Sequence, residues 1–161
     1  MLRVRDGKPT DVTALARIGL AAWSASIGRL VDSGVRERFK SHNPFLAFLR
    51  KPDIGLLVAC NDDDLIGFAA SETGAGEVSD LWVAPAFWGF GAGRALLEAV
   101  TINASEAGQS RLSLEVMVKN ARAVAFYKAA GFETDWQRDV SDKSLGVTIA
   151  KLGMSKPLTP L

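Results

Sequence analysis

The glycines between Trp88 and Arg94 are the residues whose spacing points most directly to chemistry. Gly89, Gly91 and Gly93 alternate in a turn that follows an apolar strand pattern and opens onto a helical pattern near Arg94. Because glycine has no Cβ, the backbone can turn sharply here and approach a ligand closely. The free amides of the helix's first turn, with the positive end of its dipole, favour an anion. The spacing therefore predicts a phosphate-binding turn.

The spacing also excludes two common nucleotide motifs. Arg94 occupies the position that would complete Gly-x-Gly-x-x-Gly, so the dinucleotide fingerprint fails. No Gly-Lys-Ser/Thr follows the turn, so the nucleoside-triphosphate loop fails as well. A turn whose glycines only relieve packing is the alternative interpretation, since short glycine runs are common between elements. The spacing by itself leaves both interpretations open.

Length, charge and cysteine usage limit the class of protein. The 161 residues favour one domain, expected over 1–155 with a short tail at 156–161. A formal net charge of +1 argues against a nucleic-acid partner. No apolar run is long enough to span a bilayer, and Met1–Arg5 alternates like a strand instead of opening a secretory leader. The single cysteine, Cys60, suits a reducing compartment, so we expect a cytoplasmic protein without a membrane partner.

Strand and helix patterns alternate along the chain. Strands are predicted at 2–5, 55–60, 65–71, 77–84, 111–118, 132–140 and 145–154, and helices from Val12, within 32–49, from Arg94 to Gly108 and from Asn120 to Gly131. Pro44 marks a boundary or a kink. The resulting order, βααβββαβαββ, predicts a single-domain α/β fold with a mixed sheet.

The acidic turn from Asn61 to Asp64 is the one stretch that resembles a metal loop. Ile66 falls where a calcium loop requires a ligand, and turns favour Asp and Asn for backbone reasons. We therefore expect no metal site.

Two motifs together resemble the GNAT superfamily of acyl-CoA-dependent N-acetyltransferases. The stretch Val83–Leu97 resembles the family's pyrophosphate motif, Arg/Gln-x-x-Gly-x-Gly/Ala. The stretch Leu114–Phe132 resembles its strand-Asn-helix segment, which ends in Tyr-x-x-x-Gly-Phe. The element order matches too, so the resemblance covers essentially the whole chain. It implies a mostly antiparallel sheet flanked by helices, with a splayed central strand pair.

The resemblance implies acetyl-CoA as co-substrate and assigns residues to it. The backbone of Leu81, Trp82 and Val83 would pair with the pantetheine arm, which Asn120 would also contact. Phe126 and Tyr127 would lie beside it, with the Tyr127 hydroxyl near the thioester sulfur. The pyrophosphate turn would comprise Trp88, Gly89, Phe90, Gly91, Ala92, Gly93 and Arg94.

Trp88 departs from the family pattern, because Arg or Gln is usual at this position. Indole has one N–H donor and no charge, so it cannot replace a guanidinium. Most of the phosphate contacts should still come from backbone amides, and we expect weaker cofactor affinity without loss of function. Arg94 either supplies the missing charge or is a solvated residue of the first helical turn.

The implied reaction is direct attack of a primary amine on the acetyl thioester through a tetrahedral intermediate. Tyr127 would be the acid, and Glu115 or Glu77 the base, with Asp80 as a third candidate. Each carboxylate has a simple alternative as a solvated or hydrogen-bonded surface group. Deprotonating a lysine-like amine of pKa ~10.4 at pH 7 costs about 4.6 kcal/mol, so such an acceptor needs a base or a desolvating site.

The acceptor is the least determined part of the prediction. We expect a small-molecule amine. A protein N-terminus and a non-catalytic acyl-CoA sensor, for which Trp88 is the only indication, remain alternatives. The resemblance places the acceptor between residues 22–48 and 136–145, which carry charges of both signs. Trp23, Trp82 and Trp136 either line that pocket or belong to the core. The final strands could pair between subunits, which makes a homodimer possible.

Overall fold

The structure is a computed structural model, and it describes residues 1–159. Its strands are β1 (Leu2–Asp6), β2 (Gly55–Asn61), β3 (Asp64–Ser71), β4 (Glu77–Val78), β5 (Asp80–Val83), β6 (Arg111–Met117), β7 (Glu133–Asp142) and β8 (Val147–Pro157). Its helices are α1 (Val12–Ala25), α2 (Ser33–His42), α3 (Phe45–Leu49), α4 (Ala92–Glu106) and α5 (Ala121–Ala129).

The strands form two sheets of four strands each. The first has the order β1-β2-β3-β5 and is antiparallel throughout. The second has the order β4-β6-β8-β7, in which β4 and β6 form the parallel pair. The mixed, mostly antiparallel sheet flanked by helices is therefore confirmed.

Ser79 divides the predicted central strand into β4 and β5. β4 pairs with β6, whereas β5 pairs with β3. The amide and the hydroxyl of Ser79 both donate to the carbonyl of Ala70, at 2.9 and 3.0 Å. The chain thus changes sheets within one residue, and β5 and β6 diverge. This is the splayed strand pair that the family resemblance implied.

Successive side chains of β5 pack into two different hydrophobic clusters, one on each face of the strand. Leu81 and Val83 pack with the cluster that contains α4, and Trp82 packs with the cluster that contains α1, α2 and α3. Successive side chains of a strand point to opposite faces, so both faces of β5 are covered by helices. The opening between β5 and β6 is consequently flanked by helices on both sides.

Two boundaries differ from the sequence prediction. Three helices precede β2 instead of two, because Pro44 separates α2 from α3, and Asn43 takes the left-handed conformation with φ 35°. β8 begins at Val147 and continues to Pro157, whose register partner is Arg111. Residues 156 and 157, predicted as tail, therefore belong to the sheet, since β6 supplies hydrogen-bonding partners that far.

Candidate active site

The outer edge of β5 faces the opening between the sheets. The amide of Ala84 donates to the carbonyl of Ile66 across the ladder at 2.7 Å. Backbone groups alternate in direction along an antiparallel strand, so those of Val83 and Leu81 face away from β3. Among residues 1–159, no strand pairs with this edge. The Val83 carbonyl accepts from the Trp88 indole N–H, so the Val83 amide and the Leu81 groups are the part of this edge that can bind an extended ligand as another strand.

A cavity of about 560 Å³ runs from this edge to the glycine turn. It is lined by Leu81, Trp82, Val83, Trp88, Gly89, Gly91, Ala92, Gly93, Arg94, Asn120, Phe126 and Tyr127, all predicted cofactor-binding residues. Phe90 is the exception. Its side chain is 72% exposed and lies beside Phe87, with ring centroids 6.2 Å apart, so only its backbone can serve the turn.

The glycine turn has the geometry of an anion cradle. Gly89 and Gly91 take φ values of 85° and 88°, a region that favours glycine. No atom lies within 4 Å of where a Cβ would stand on either residue. Within residues 1–159, no protein group accepts from the amides of 89–91. These donors, with the N-terminus of α4, fit a phosphate.

Trp88 and Arg122 form a stacked pair at the same cavity. The Trp88 indole N–H donates to the Val83 carbonyl at 2.7 Å, so it is not available to a phosphate. The guanidinium carbon of Arg122 lies 4.1 Å from the centroid of the Trp88 ring. Both residues line the cavity, as does the exposed Arg94. Arg122 thus brings a positive charge beside Trp88, which itself has none.

Sequence reasoning missed Arg122 because nothing local distinguishes it. It is an exposed arginine in the first turn of α5, 34 positions from Trp88 along the chain. Only the packing of α5 beside the turn brings the two together. The indole in place of the usual Arg or Gln was a signal that the charge had to come from elsewhere.

A second cavity, of about 480 Å³, meets the first where β5 and β6 diverge. The two share the residues Leu81, Trp82, Asn120, Ala123 and Tyr127. The Asn120 side-chain oxygen accepts from the Ala123 amide at 3.3 Å and caps α5, which fixes its position at the junction. A reaction between ligands of the two cavities would take place at this junction.

Tyr127 lies at the junction in an aromatic environment. Its ring makes edge contacts with Phe126 and Phe132, with centroids 5.2 and 5.6 Å apart. Burial, together with the negative charge of Asp80, raises the pKa of Tyr127 above its ordinary value. The phenol therefore remains protonated near neutral pH and can donate a hydrogen bond.

Asp80 lies on the second cavity, on the same face of β5 as Trp82. The Trp82 indole N–H donates to the Asp80 carboxylate at 2.9 Å. Burial, more than the nearby charges of Glu72 and Glu77, raises the pKa of Asp80 to about 6, although the indole hydrogen bond acts in the opposite direction. Such a carboxylate titrates close to the range in which acid–base catalysts work.

The other two carboxylate candidates are placed differently. Glu115 is exposed on β6 and lines the second cavity. Glu77 accepts hydrogen bonds from the amides of Glu72 and Thr73, at 3.2 and 2.9 Å, and it lines neither cavity. Its carboxylate holds the turn before β4. The structure therefore places Asp80 and Glu115 on the second cavity and leaves Glu77 apart.

Aromatic residues form one wall of the second cavity. Trp23 and Phe39 stack with centroids 3.8 Å apart, and Phe45 makes an edge contact with Trp82 at 5.4 Å. Trp136 has a different role, because it packs over Gly153 of β8. Of the three tryptophans considered for the acceptor pocket, Trp23 and Trp82 line the second cavity.

The sequence comparisons identify the family. Residues 22–132 match the profile of the Acetyltransferase (GNAT) family, and the chain belongs to that family. It is 41% identical over 91 residues to the IAA acetyltransferase of Azospirillum brasilense, an alignment that covers 54% of this chain and 60% of that relative. The match therefore spans three fifths of the relative's length.

Solved structures share the fold. A GCN5-related N-acetyltransferase from Rhodopseudomonas palustris superposes with a TM-score of 0.82 at 23% identity, over 97% of this chain and 95% of the other. The PaiA N-acetyltransferase from Thermoplasma acidophilum, solved in complex with coenzyme A, gives 0.75 at 22% identity, over 98% and 99%. None of the helices within residues 1–159 combines the length and hydropathy needed to cross a membrane.

Proposed function

We propose that this protein is an acyl-CoA-dependent N-acetyltransferase that moves the acetyl group of acetyl-CoA to a primary amine of a small molecule. The observation that carries the proposal is the meeting of two cavities at Tyr127 and Asn120, beside Asp80. Family membership supports the reaction type. The name of the Azospirillum relative supports a small-molecule substrate.

The first cavity would hold the cofactor. The outer edge of β5 suits the pantetheine arm, and the amides of 89–91 suit the pyrophosphate. Arg122, stacked on Trp88, and Arg94 would supply charge to the phosphates. Bound there, acetyl-CoA supplies an acetyl group activated as a thioester.

On the acceptor side, Asp80 is the preferred base. Its pKa of about 6 leaves it ionised at neutral pH, so it can attract an ammonium group and accept its proton. Its burial strengthens its interaction with a bound amine. Glu115 lines the same cavity but is exposed, and we assign it a secondary role.

Tyr127 would act on the leaving group. A thiol resembling that of cysteine has a pKa of roughly 8.5, whereas an ordinary phenol has one near 10. Because the pKa of Tyr127 is raised further, complete proton transfer to the thiolate would be uphill by more than about 2 kcal/mol. We infer that Tyr127 stabilises the departing sulfur by a hydrogen bond.

The test is release of free CoA thiol from acetyl-CoA in the presence of polyamines, amino acids, aminoglycosides, arylalkylamines and short peptides. Amine-dependent release that falls at least about tenfold in Tyr127→Phe and in Asp80→Asn, and much less in Glu77→Gln, is expected. Binding of acetyl-CoA without release for any amine would favour a sensor. Release with peptides alone would favour a protein N-terminal acetyltransferase.

A further inference from the structure

The second cavity has a chemical character that the sequence did not reveal. Its apolar wall includes Ile27, from the turn between α1 and α2, Phe48 from α3 and Trp82 from β5, all of which stay partly exposed. Behind them, the stacked Trp23–Phe39 pair is almost wholly buried. Partly exposed apolar groups in a cavity gain free energy when an apolar ligand covers them.

The charges of the cavity lie on the strands, on Glu72 directly after β3 and on the β7–β8 turn. Four carboxylates line it, and two of these are neutralised, because Glu72 pairs with Lys51 and Asp142 pairs with Lys151 at 3.0 Å. The other two are Asp80 and Glu115, and within residues 1–159 neither forms an ion pair.

These two free carboxylates line the second cavity from β5 and β6, the strands that diverge where the cavities meet, and the charge of Asp80 acts on Tyr127 there. One further cation, Lys143, lines the cavity from the turn between β7 and β8. A positive charge is therefore favoured beside Asp80 and Glu115, but not at the turn, where Lys143 lies.

We propose that the acceptor is an arylalkylamine, a primary monoamine whose ammonium group meets Asp80 and Glu115 and whose aromatic body lies against Phe48, Ile27 and Trp82. This inference rests on the proposed function and specifies its substrate class. A diamine or an aminoglycoside fits worse, since its further charges would meet Lys143 or lose their hydration along the apolar wall without a counter-ion. An amino acid fits worse because its carboxylate would meet the two free carboxylates.

The experiment compares 2-phenylethylamine with cadaverine, kanamycin, phenylalanine and a tripeptide that begins with phenylalanine, by CoA thiol release at saturating acetyl-CoA. We expect kcat/KM for 2-phenylethylamine to exceed each of the others by at least about tenfold. Phe48→Ser should reduce kcat/KM for 2-phenylethylamine at least about fivefold and leave the KM for acetyl-CoA unchanged. Ile102→Ser is the matched control, because Ile102 is an exposed apolar residue of α4 outside both cavities.

A preference for cadaverine, kanamycin, phenylalanine or the tripeptide would overturn the inference and leave the acetyltransferase proposal intact. If no amine releases thiol, calorimetry on the CoA-loaded protein separates the two proposals. Binding of 2-phenylethylamine about tenfold tighter than cadaverine would support the cavity assignment and refute the acetyltransferase. Equal or weaker binding would refute both.

Discussion

Replacing Asp80 with asparagine should make the protein more stable and less active. The pKa of Asp80 rises from 3.8 to about 6 on folding, mainly because the carboxylate is buried. Between these pH values the folded state holds more protons than the unfolded chain, so stability falls as pH increases through this window. At 1.36 kcal/mol per unit of pKa difference, the ionised Asp80 carboxylate lowers the free energy of unfolding by about 3 kcal/mol near pH 7.5.

The same calculation gives a cost of only about 1 kcal/mol near pH 4.5, where Asp80 is largely protonated in the folded state. Asparagine carries no charge at either pH, and its side-chain oxygen can still accept from the Trp82 indole N–H. The substitution Asp80→Asn should therefore increase the free energy of unfolding by about 2 kcal/mol more at pH 7.5 than at pH 4.5.

Urea denaturation at both pH values measures this difference, and Glu115→Gln is the control. Glu115 is exposed, so its substitution should change the free energy of unfolding by less than about 0.5 kcal/mol. In parallel, kcat/KM of the wild-type protein should decrease as the pH falls below about 6, because Asp80 becomes protonated. Asp80→Asn should lose most of its activity, and its remaining kcat/KM should not show this decrease. An Asp80→Asn variant destabilised equally at both pH values would refute the reasoning, because the carboxylate would then be stabilised by its contacts instead of penalised by burial.

Three further predictions concern the cofactor turn and the sheet. Arg122→Gln should raise the KM for acetyl-CoA roughly tenfold with little change in kcat, by loss of about 1.4 kcal/mol of charged contact, and steady-state kinetics at two salt concentrations measure it. Gly91→Ala should lower the free energy of unfolding by about 1 to 2 kcal/mol in urea, because φ is 88°, and it should weaken acetyl-CoA binding by placing a methyl group in the anion cradle. Gly153→Ala should cost about 1 to 3 kcal/mol of unfolding free energy, because the new methyl group would overlap the Trp136 indole.

Matched variants decide each of these cases. If Arg122→Gln leaves the KM unchanged at low salt, the stacked guanidinium does not contact phosphate. Gly34→Ala is the control for the turn: it also adds a methyl group to open space, but its φ is not in the left-handed region, so no loss of stability is expected. The cost of Gly153→Ala should nearly vanish in a Trp136→Ala background, and a persistent cost would point to backbone strain instead of overlap.

Much of the fold followed from local patterns. The glycine turn and the hairpins depend on residues close together in sequence, and the structure places both as expected. The splayed strand pair was implied by the resemblance and is present, with its break at Ser79. The boundaries of β8 were missed, since a strand continues as long as a neighbour offers backbone partners.

Several expectations remain predictions. The cofactor-binding and catalytic assignments await the assays above, and so does the homodimer, for which β7 offers a free edge at the end of its sheet within the described residues. The nature of the acceptor is likewise proposed, from the walls of the second cavity.

The sequence by itself determined the two local motifs, because short-range backbone geometry favours glycine in the turn and a capping side chain such as Asn120 at the start of α5, and the resemblance of these motifs indicated the family. It did not determine which carboxylates line the second cavity. A regular strand would direct Glu77 and Asp80 to opposite faces, and only the change of sheets at Ser79 settles which face meets the second cavity. The burial that raises the pKa of Asp80 and the charge that Arg122 brings to Trp88 also depend on residues distant in sequence. Such contacts form only when helices and sheets pack together, so only the tertiary structure decided them.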